Sequence, residues 1–275
     1  MGKEPETENL AVFCDFENVA IGVRDARHAQ FDIRKVLERL LLKGSIVVKK
    51  AYCDWERYKD FKAAMHEAAF ELIEIPHVRQ SGKNSADIRM VVDALDLCYT
   101  KAHVDTFVIV SGDSDFSPLV SKLRENNKIV IGVGVKSSSS DLLIANCDEF
   151  IYYDDLVRKK QPPKKPARKP QRPAGRSPAP AVKEDKDAED RTQAALDLVM
   201  ETLEALAEER GSGEKVWGSM VKQTLKRRRP GFTESYYGFR SFNRLLEEAA
   251  TRGLMELEPD EKSGGYIIRS FHQED

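Results

Sequence analysis

The stretch TFVIVSGDSDFSPLV, residues 106–120, is the clearest indication of the fold class. In it a short apolar run of β-forming residues is followed by a polar loop with two aspartates. An earlier stretch, LAVFCDFEN at residues 10–18, has the same form. Short apolar runs of this kind alternate with segments of helical periodicity from Leu10 to about Leu156, which is the pattern of a parallel α/β sheet. The predicted strands are residues 10–15, 45–52, 71–76, 106–111, 129–135 and 149–153.

Two segments between these strands have clear helical periodicity. In residues 32–43 one face is aliphatic and includes Leu41, while Asp32 can cap the helix and Gly44 can stop it. Residues 85–101 form a second predicted helix. Its side chains predicted to point inward are Ile88, Val91, Val92, Leu95 and Cys98 or Tyr99. Amphipathic helices cover the faces of such a sheet, so residues 1–157 are predicted to form a Rossmann-like α/β domain.

Residues 158–190 have the composition of a disordered linker. They hold seven of the twelve prolines and no aromatic residue, so they cannot bury enough surface to offset the entropy of ordering. Residues 158–183 carry 10 Lys and Arg and no acidic residue, whereas the end of the segment is acidic. Two interpretations stay open: a spacer between domains, or a tether that also makes loose contacts with phosphates.

Residues 191–275 are predicted to form a small winged-helix domain. Helices can be drawn at about 192–209, 218–228 and 239–252, followed by a hairpin of LMELE and YIIRS. The turn between these two strands, PDEKSGG, has the proline, charges and paired glycines of an exposed wing. The sequence shows no internal repeat.

The bulk composition limits the cellular setting. The net charge of -2 conceals an acidic start, with 20 basic and 26 acidic residues in 1–157, and an acidic end, with 14 and 20 in 184–275. The four cysteines form no CxxC pair, so they indicate buried, reduced thiols and neither a zinc site nor a disulfide framework. The N-terminus lacks the apolar segment of a secretory signal, and no run approaches a membrane span. We therefore predict a cytoplasmic protein that does not bind membranes.

Acidic residues follow two strands that are predicted to be neighbours. Ligands of an open parallel sheet bind beyond the carboxyl ends of the strands where the strand order reverses, which in a 3-2-1-4-5 order lies between strands 1 and 4. Asp15 ends the first strand, Asp113 and Asp115 follow the fourth, and Asp87 lies in the first turn of the helix before it. Such hard oxygen ligands suit Mg²⁺ or Mn²⁺, and a magnesium ion with few protein ligands binds substrate phosphate. The pattern thus indicates hydrolysis of a phosphodiester.

Neighbouring polar residues have places in this chemistry. Asn18 could orient a phosphate or a metal-bound water, Ser111 and Ser114 could donate hydrogen bonds to the same group, and Lys83 could meet a phosphate oxygen. The alternative is ordinary loop hydrogen bonding for the first three residues and a solvated lysine for the fourth. Each aspartate also has a structural alternative as a helix cap or as a partner of a helix dipole.

The N-terminal 150 residues resemble the NYN domain, a branch of the PIN-like nuclease superfamily, and look like its bacterial LabA-like members. The resemblance lies in VFCDFENV (12–19), KNSADIRMVVDAL (83–95), VIVSGDSDFSPLV (108–120) and DLLIANCDEFIYYDDL (141–156). It implies an RNA-cleaving site that holds magnesium or manganese. The residues it implies for that site are Asp15, Asp87, Asp113 and Asp115, with Asn18 beside them. Asp93 also falls within a matching block, but six residues of helix turn it away from the face of Asp87.

Residues 192–272 resemble the LOTUS domain, also called OST-HTH, a winged helix linked with RNA binding. The resemblance lies in KRRRPGFTESYYGFRSFNRLLEEA (226–249), GLMELE and GGYIIRS. The basic run Lys226, Arg227, Arg228 and Arg229, with Tyr236 nearby, suits phosphate contact combined with base stacking. Phe239 and Phe242 are predicted to belong to the core. The preference for RNA comes from the resemblance, since a winged helix also binds DNA or protein.

Together these features predict a metal-dependent ribonuclease whose C-terminal domain binds single-stranded or structured RNA and offers a surface for a protein partner. A second interpretation is an RNA-binding adaptor without catalysis. A third is a phosphatase in which Asp15 forms a phosphoenzyme, although that pattern prefers an aspartate where this chain has Glu17. The oligomeric state is not indicated.

Overall fold

The computed structural model describes residues 8–28, 30–75, 85–157, 182–210, 215–260 and 264–271. The chain divides into two compact units, one N-terminal and one C-terminal, and each has its own hydrophobic core. Within the described ranges, no helix is long and apolar enough to cross a membrane.

The N-terminal unit is built on a parallel six-stranded sheet of order β3-β2-β1-β4-β5-β6. All six predicted strands are present and the predicted strand order is confirmed, so the α/β fold class is correct. The strands are β1 (Glu8–Asp15), β2 (Gly44–Cys53), β3 (Glu71–Glu74), β4 (Thr106–Val110), β5 (Ile129–Gly134) and β6 (Glu149–Tyr152).

Seven helices in the described part of this unit cover the two faces of the sheet. They are α1 (Phe16–Asp25), α2 (Ile33–Leu41), α3 (Lys59–Glu67), α4 (Ser85–Thr100), α5 (Ser117–Glu125), α6 (Asp141–Asn146) and α7 (Tyr153–Val157). Helices α1, α2, α3 and α7 pack on one face, and α4, α5 and α6 pack on the other. Side chains of the central strand β1 alternate between the two cores, with Val12 in one and Phe13 in the other. A strand buried on both faces needs an apolar sequence throughout, which is what residues 10–14 provide.

The two helices predicted in detail differ in outcome. Asp32 caps α2 as expected, since its side chain accepts a hydrogen bond from the Arg34 amide at 3.1 Å. Gly44 begins β2, and Leu41, which we assigned to the buried face, is 59% exposed.

For α4 the extent is confirmed and the inward face is partly wrong. Cys98 is buried, and Val91 and Leu95 pack against the core, but Ile88, Val92 and Tyr99 are exposed. The remaining buried side chains of this helix are Met90 and Ala94. Apolar residues surround α4 on nearly every side, so periodicity alone does not select the buried face.

The C-terminal unit has the arrangement of a winged helix. Its elements are α8 (Val182–Arg210), β7 (Val216–Trp217), α9 (Gly218–Arg228), α10 (Phe242–Thr251), β8 (Met255–Pro259) and β9 (Tyr266–Phe271). The strands form an antiparallel sheet of order β7-β9-β8. Phe242 is buried and Phe239 packs partly buried against the same core, as predicted.

Two predicted boundaries of this region are wrong. Helix α8 begins at Val182, so residues 182–190, which we assigned to the disordered linker, are helical. This segment contains no glycine or proline, and its lysine, glutamate and alanine residues favour continuation of the helix that follows. Helix α10 begins at Phe242 and not near Phe239, because Ser241 caps it. Residues 158–181 of the predicted linker and residues 261–263 of the wing turn lie outside the described residues.

Candidate active site

The candidate site lies at the carboxyl edge of the sheet, between β1 and β4. These strands pair in parallel with Cys14 opposite Val110, so the residues that follow each strand emerge side by side. Strand β1 passes directly into α1 at Asp15 without an intervening loop. Strand β4 is followed by Ser111, Gly112 and Asp113, and then by a 3₁₀ turn over Ser114–Phe116.

Asp15 is the most buried of the four predicted carboxylates, with 7% of its surface exposed. Its Oδ2 atom accepts a hydrogen bond from the Ser111 Oγ at 3.0 Å, a buried contact that joins the ends of β1 and β4. Its Oδ1 atom accepts from the Asn18 amide at 3.3 Å and so caps α1. Both oxygens are therefore held in fixed directions, and this geometry does not favour Asp15 as an attacking nucleophile.

A chain of short hydrogen bonds fixes the facing loop. The Gly112 amide donates to the Asn18 Oδ1 at 2.9 Å, and the Asp113 amide donates to the Ser111 Oγ at 3.2 Å. The Asp115 amide donates in turn to the Asp113 Oδ1 at 2.9 Å. Asn18 and Ser111 thus make the structural hydrogen bonds that were the alternative to direct contact with substrate.

Burial and charge repulsion disfavour the ionised form of two of the four predicted aspartates. The pKa of Asp15 is raised from 3.8 to about 7, first by burial and then by repulsion from Asp87, with a smaller contribution from Asp113. The pKa of Asp87 is raised to about 6 by burial and by repulsion from Asp113, Asp115 and Glu17, in that order. Asp87, in the first turn of α4, is thus close enough to the segment after β4 for its charge to be repelled by Asp113 and Asp115.

Capping alone does not account for this arrangement. Asp15 caps α1, Asp113 caps the 3₁₀ turn and Asp87 lies in the first turn of α4, so each structural alternative is realised. A carboxylate that only caps a helix is stabilised in its charged form, which lowers its pKa. The pKa values of Asp15 and Asp87 are shifted the opposite way, because burial, and after it repulsion from neighbouring carboxylates, disfavours the charged form.

Comparison with known proteins identifies the N-terminal unit. The NYN domain matches residues 9–154, which is more than half of the chain. The chain belongs to the NYN domain family. Membership in this branch of the PIN-like nuclease superfamily indicates a nuclease or another RNA-regulating function.

Individual proteins show similarity over the same region. The chain is 25% identical over 159 residues to the meiosis regulator and mRNA stability factor 1 of Xenopus tropicalis, which covers 58% of this chain and 9% of that protein. It is 29% identical over 137 residues to an uncharacterized protein of Methanocaldococcus jannaschii, covering 47% of this chain and 54% of the relative. The match therefore spans only part of each relative. A crystal structure of a protein of unknown function from Vibrio parahaemolyticus superposes with a TM-score of 0.50 at 28% identity and covers 56% of this chain and 98% of that one.

The donor set of the NYN domain fits a hard divalent cation in its chemistry. Four carboxylates supply anionic oxygen ligands of the kind that Mg²⁺ and Mn²⁺ prefer, and a cation would relieve their mutual repulsion. In the conformation described, however, no group of three acidic, histidine or cysteine side chains among the described residues is arranged to hold a metal ion. The four aspartates thus match Mg²⁺ or Mn²⁺ in ligand type and charge, and not in their arrangement in this conformation.

The remaining predicted residues of the NYN domain are placed as follows. Asp113 and Ser114 are half-buried and Asp115 is exposed, at the mouth of the site. Lys83 lies outside the described residues. Asp93, which the sequence left out of the site, accepts a hydrogen bond from the Tyr52 hydroxyl at 2.9 Å and pairs with Arg89 at 3.0 Å.

Sequence reasoning missed three residues beside the carboxylates. The Glu17 Oε1 pairs with the Arg57 Nη1 at 3.0 Å and accepts from the Tyr58 hydroxyl at 3.4 Å. Arg57 and Tyr58 lie in the turn after β2, which ends at the same sheet edge as β1 and β4. The sequence contained a signal for Arg57 and Tyr58, because polar residues that follow a strand parallel to β1 lie at the carboxyl edge of the sheet. A fourth residue, Ser117, has a buried Oγ that makes no hydrogen bond within the described part of the chain.

A cavity of about 610 Å³ elsewhere in the NYN domain has a different character. It opens beside α2 and α3, where Phe31, Phe61 and Lys35 are among the side chains that line it. None of the predicted carboxylates lines it. Concavity alone therefore does not mark the carboxylate site, which lies at the strand ends.

The predicted RNA-binding residues in the second half of the chain lie at the end of α9 and in the segment that follows it. Arg227, Arg228 and Arg229 are exposed, and Lys226 is half-buried. Tyr236 is half-buried, with the Arg191 guanidinium 5.6 Å from its ring centroid. The basic run is thus accessible to a polyanion.

Proposed function

We propose that this NYN protein is a metal-dependent ribonuclease. In this proposal Asp15, Asp87, Asp113 and Asp115 hold Mg²⁺ or Mn²⁺ and RNA phosphodiesters are hydrolysed at the carboxyl edge of the sheet. The observation that carries the proposal is the acidic cluster at the strand ends, where burial and repulsion from Asp87 raise the pKa of Asp15, and burial and repulsion from Asp113 and Asp115 raise that of Asp87. A fold bears such repulsion at a cost in stability, which is the expected signature of a functional site.

In this proposal the residues of the site have different roles. When bound, Mg²⁺ or Mn²⁺ supplies a water of lowered pKa and stabilises charge on a phosphate oxygen. Ser111 and the Asn18 amide fix the direction of both Asp15 oxygens. The hydrogen bond from the Gly112 amide to Asn18 holds the β4 loop against α1, so that Asp113 stays close to Asp15. At neutral pH without a cation, the Asp15 carboxyl retains a proton for much of the time, because its pKa is about 7.

RNA is the proposed substrate. The matched relative from Xenopus tropicalis is named as an mRNA stability factor. The exposed arginines Arg227 to Arg229, together with the resemblance to LOTUS domains, support RNA binding by the C-terminal unit. Tethering such a unit to the NYN domain raises the local concentration of RNA without new contacts at the active site. We also propose that this unit can engage a protein partner and that the protein works in the cytoplasm.

Two observations favour a second candidate, an RNA-binding adaptor without turnover. The described carboxylates are not arranged to hold a metal ion as they stand, and the relatives from several vertebrates are named as regulators. An adaptor would use the acidic pocket only to hold a metal ion for stability or to bind a partner.

Cleavage of labelled single-stranded RNA separates the two candidates. Native protein is compared in Mg²⁺, in Mn²⁺ and in a chelator, beside Asp15→Asn and Asp113→Asn proteins that are folded and still bind RNA. A ribonuclease needs the metal, and either substitution should lower its rate at least a hundredfold. Well-purified native protein that binds RNA and cuts nothing under any of these conditions would establish the adaptor.

A further inference from the structure

We propose that Glu17, Arg57 and Tyr58 form a subsite for single-stranded RNA beside the carboxylate cluster. In this subsite the Arg57 guanidinium binds a backbone phosphate and the Tyr58 ring stacks on an unpaired base. The inference rests on the proposed function, since it names how the RNA is held at the site where we place cleavage.

The position of these residues follows from the register of the sheet. Tyr52 of β2 pairs with Asp15 of β1, so the turn that follows β2 emerges at the same edge as the carboxylates. Glu17 lies in the first turn of α1, two residues after Asp15, and is close enough to Asp87 for the two carboxylates to repel each other. Arg57 therefore brings a cation to the border of an acidic site that would otherwise repel a polyanion.

The guanidinium is oriented and still has donors to offer. Arg57 contacts Glu17 through Nη1 at 3.0 Å, and Glu17 is its only acidic partner in the part of the chain that the structure describes. Its side chain is 53% exposed. The planar fork of arginine matches the oxygens of a phosphate in a bidentate contact, which a single bond to Glu17 leaves possible.

The tyrosine has the features of a stacking platform. Tyr58 precedes α3 and is half-buried: its hydroxyl contacts Glu17 at 3.4 Å, and its ring packs against Phe16 at 5.6 Å and against Phe61 at 6.5 Å. The Arg57 Cζ lies 6.0 Å from the ring centroid. A ring supported on one edge and anchored at its hydroxyl loses little entropy on stacking, and a base can stack on it only when unpaired.

A purely structural role gives a weaker account of this trio. An ion pair as exposed as Arg57 and Glu17 contributes little to stability. Arg34 and Glu67 form such a pair elsewhere in the NYN domain, at comparable exposure. The Arg57 pair differs because it lies at the border of the carboxylate site and beside an aromatic ring.

Photocross-linking of the full chain tests the subsite without requiring cleavage. The probe is a single-stranded RNA of about six nucleotides with one 4-thiouridine, irradiated in a chelator, and the cross-linked peptides are mapped by mass spectrometry. We expect cross-links in the peptide that contains Arg57 and Tyr58. Arg57→Ala should lower their yield about tenfold, as the loss of a charge-assisted hydrogen bond implies, whereas Arg34→Ala should leave the yield within about twofold.

Two conservative variants distinguish RNA contact from a purely structural role. If Arg57 and Tyr58 were only structural, neither variant would change the cross-linking yield. Arg57→Lys keeps the charge but loses the fork and should restore only part of the yield. Tyr58→Phe keeps the ring and should match native protein within about twofold, whereas Tyr58→Leu should lose about fivefold or more. Each variant is first shown to melt at the native temperature.

The outcomes separate this inference from the proposed function. Equal yields from native and Arg57→Ala proteins, or no cross-link at residues 54–58, would overturn the subsite even if the protein cuts RNA. Cross-linking that depends on Arg57 in a protein that cuts no RNA would support the subsite and overturn the ribonuclease.

Discussion

Replacing Asp15 with asparagine should stabilise the NYN domain at alkaline pH in the absence of metal. Burial and the neighbouring aspartates raise the pKa of Asp15 from 3.8 to about 7. At about 1.4 kcal/mol per pH unit, keeping this carboxyl charged at about pH 8 costs the folded state on the order of 4 kcal/mol. Asparagine removes the charge but cannot keep both hydrogen bonds from Ser111 and Asn18, which costs about 2 kcal/mol. The net gain is about 2 kcal/mol, or about 6 °C in Tm for a domain of this size.

The sign of the pH dependence follows from the direction of the shift. Because the folded pKa lies above the unfolded one, the folded state holds a proton that the unfolded state has lost between about pH 4 and pH 7. The stability of native protein contributed by this group is therefore complete near pH 4 and declines as the pH rises towards 7. The advantage of Asp15→Asn should grow over the same interval and be absent near pH 4, where only the lost hydrogen bonds remain.

Thermal unfolding in a chelator measures this effect. Trp55 is buried in the NYN domain, and a Trp217→Phe background makes it the sole tryptophan, so its fluorescence reports this unit. Asp93→Asn is the matched control, since Asp93 is paired with Arg89 and Tyr52 and should lose stability when neutralised. An Asp15→Asn protein no more stable than native at about pH 8, or equally stabilised near pH 4, would refute the reasoning.

Three further results are expected. The affinity for Mn²⁺ should rise about tenfold between pH 6 and pH 7.5, because the cation competes with protons on Asp15 and Asp87. An affinity that calorimetric titration shows to be the same at both pH values would contradict this. Gly112→Ala should slow RNA cleavage at least tenfold, since a Cβ there would lie 2.4 Å from the Ser138 carbonyl oxygen and displace the loop that carries Asp113. Single-turnover rates at the native level would show that the loop tolerates the shift. Gly132→Ala should cost about 1 to 3 kcal/mol in chemical denaturation, because its Cβ would meet a ring carbon of β6 at 2.3 Å; an unchanged midpoint would mean that the core relaxes at no cost.

The sheet and the convergence of the aspartates were predictable for a physical reason. Residues 10–14 and 106–110 are apolar throughout, as strands buried on both faces must be, and each run is followed by acidic residues. Parallel strands that neighbour each other in the sheet end at one edge, so strand order alone brings Asp15 next to Asp113. Hydrogen-bond roles were less predictable, because Asn18 faces the Gly112 amide only after α1 starts directly at the strand end.

Features that depend on tertiary context escaped the sequence. Helix α4 carries apolar residues on several sides, and only packing against the sheet decides that Met90 is buried while Ile88 is exposed. The composition of residues 182–190 is compatible with a charged tether and with a helix. In the structure these residues form the start of α8. Arg57 was overlooked because its partner, Glu17, is 40 residues away in sequence.

Metal-dependent ribonuclease activity is tested by the rate at which native and Asp113→Asn proteins cut an end-labelled single-stranded RNA in Mn²⁺. Both proteins are purified identically and melt at the same temperature. Asp113 is half-buried and repels Asp87, so its charge belongs to the shared site while its loss leaves the core intact. We expect metal-dependent cleavage by native protein and a loss of at least a hundredfold in the variant. Equal rates in the two proteins, or no cleavage by either, would contradict it.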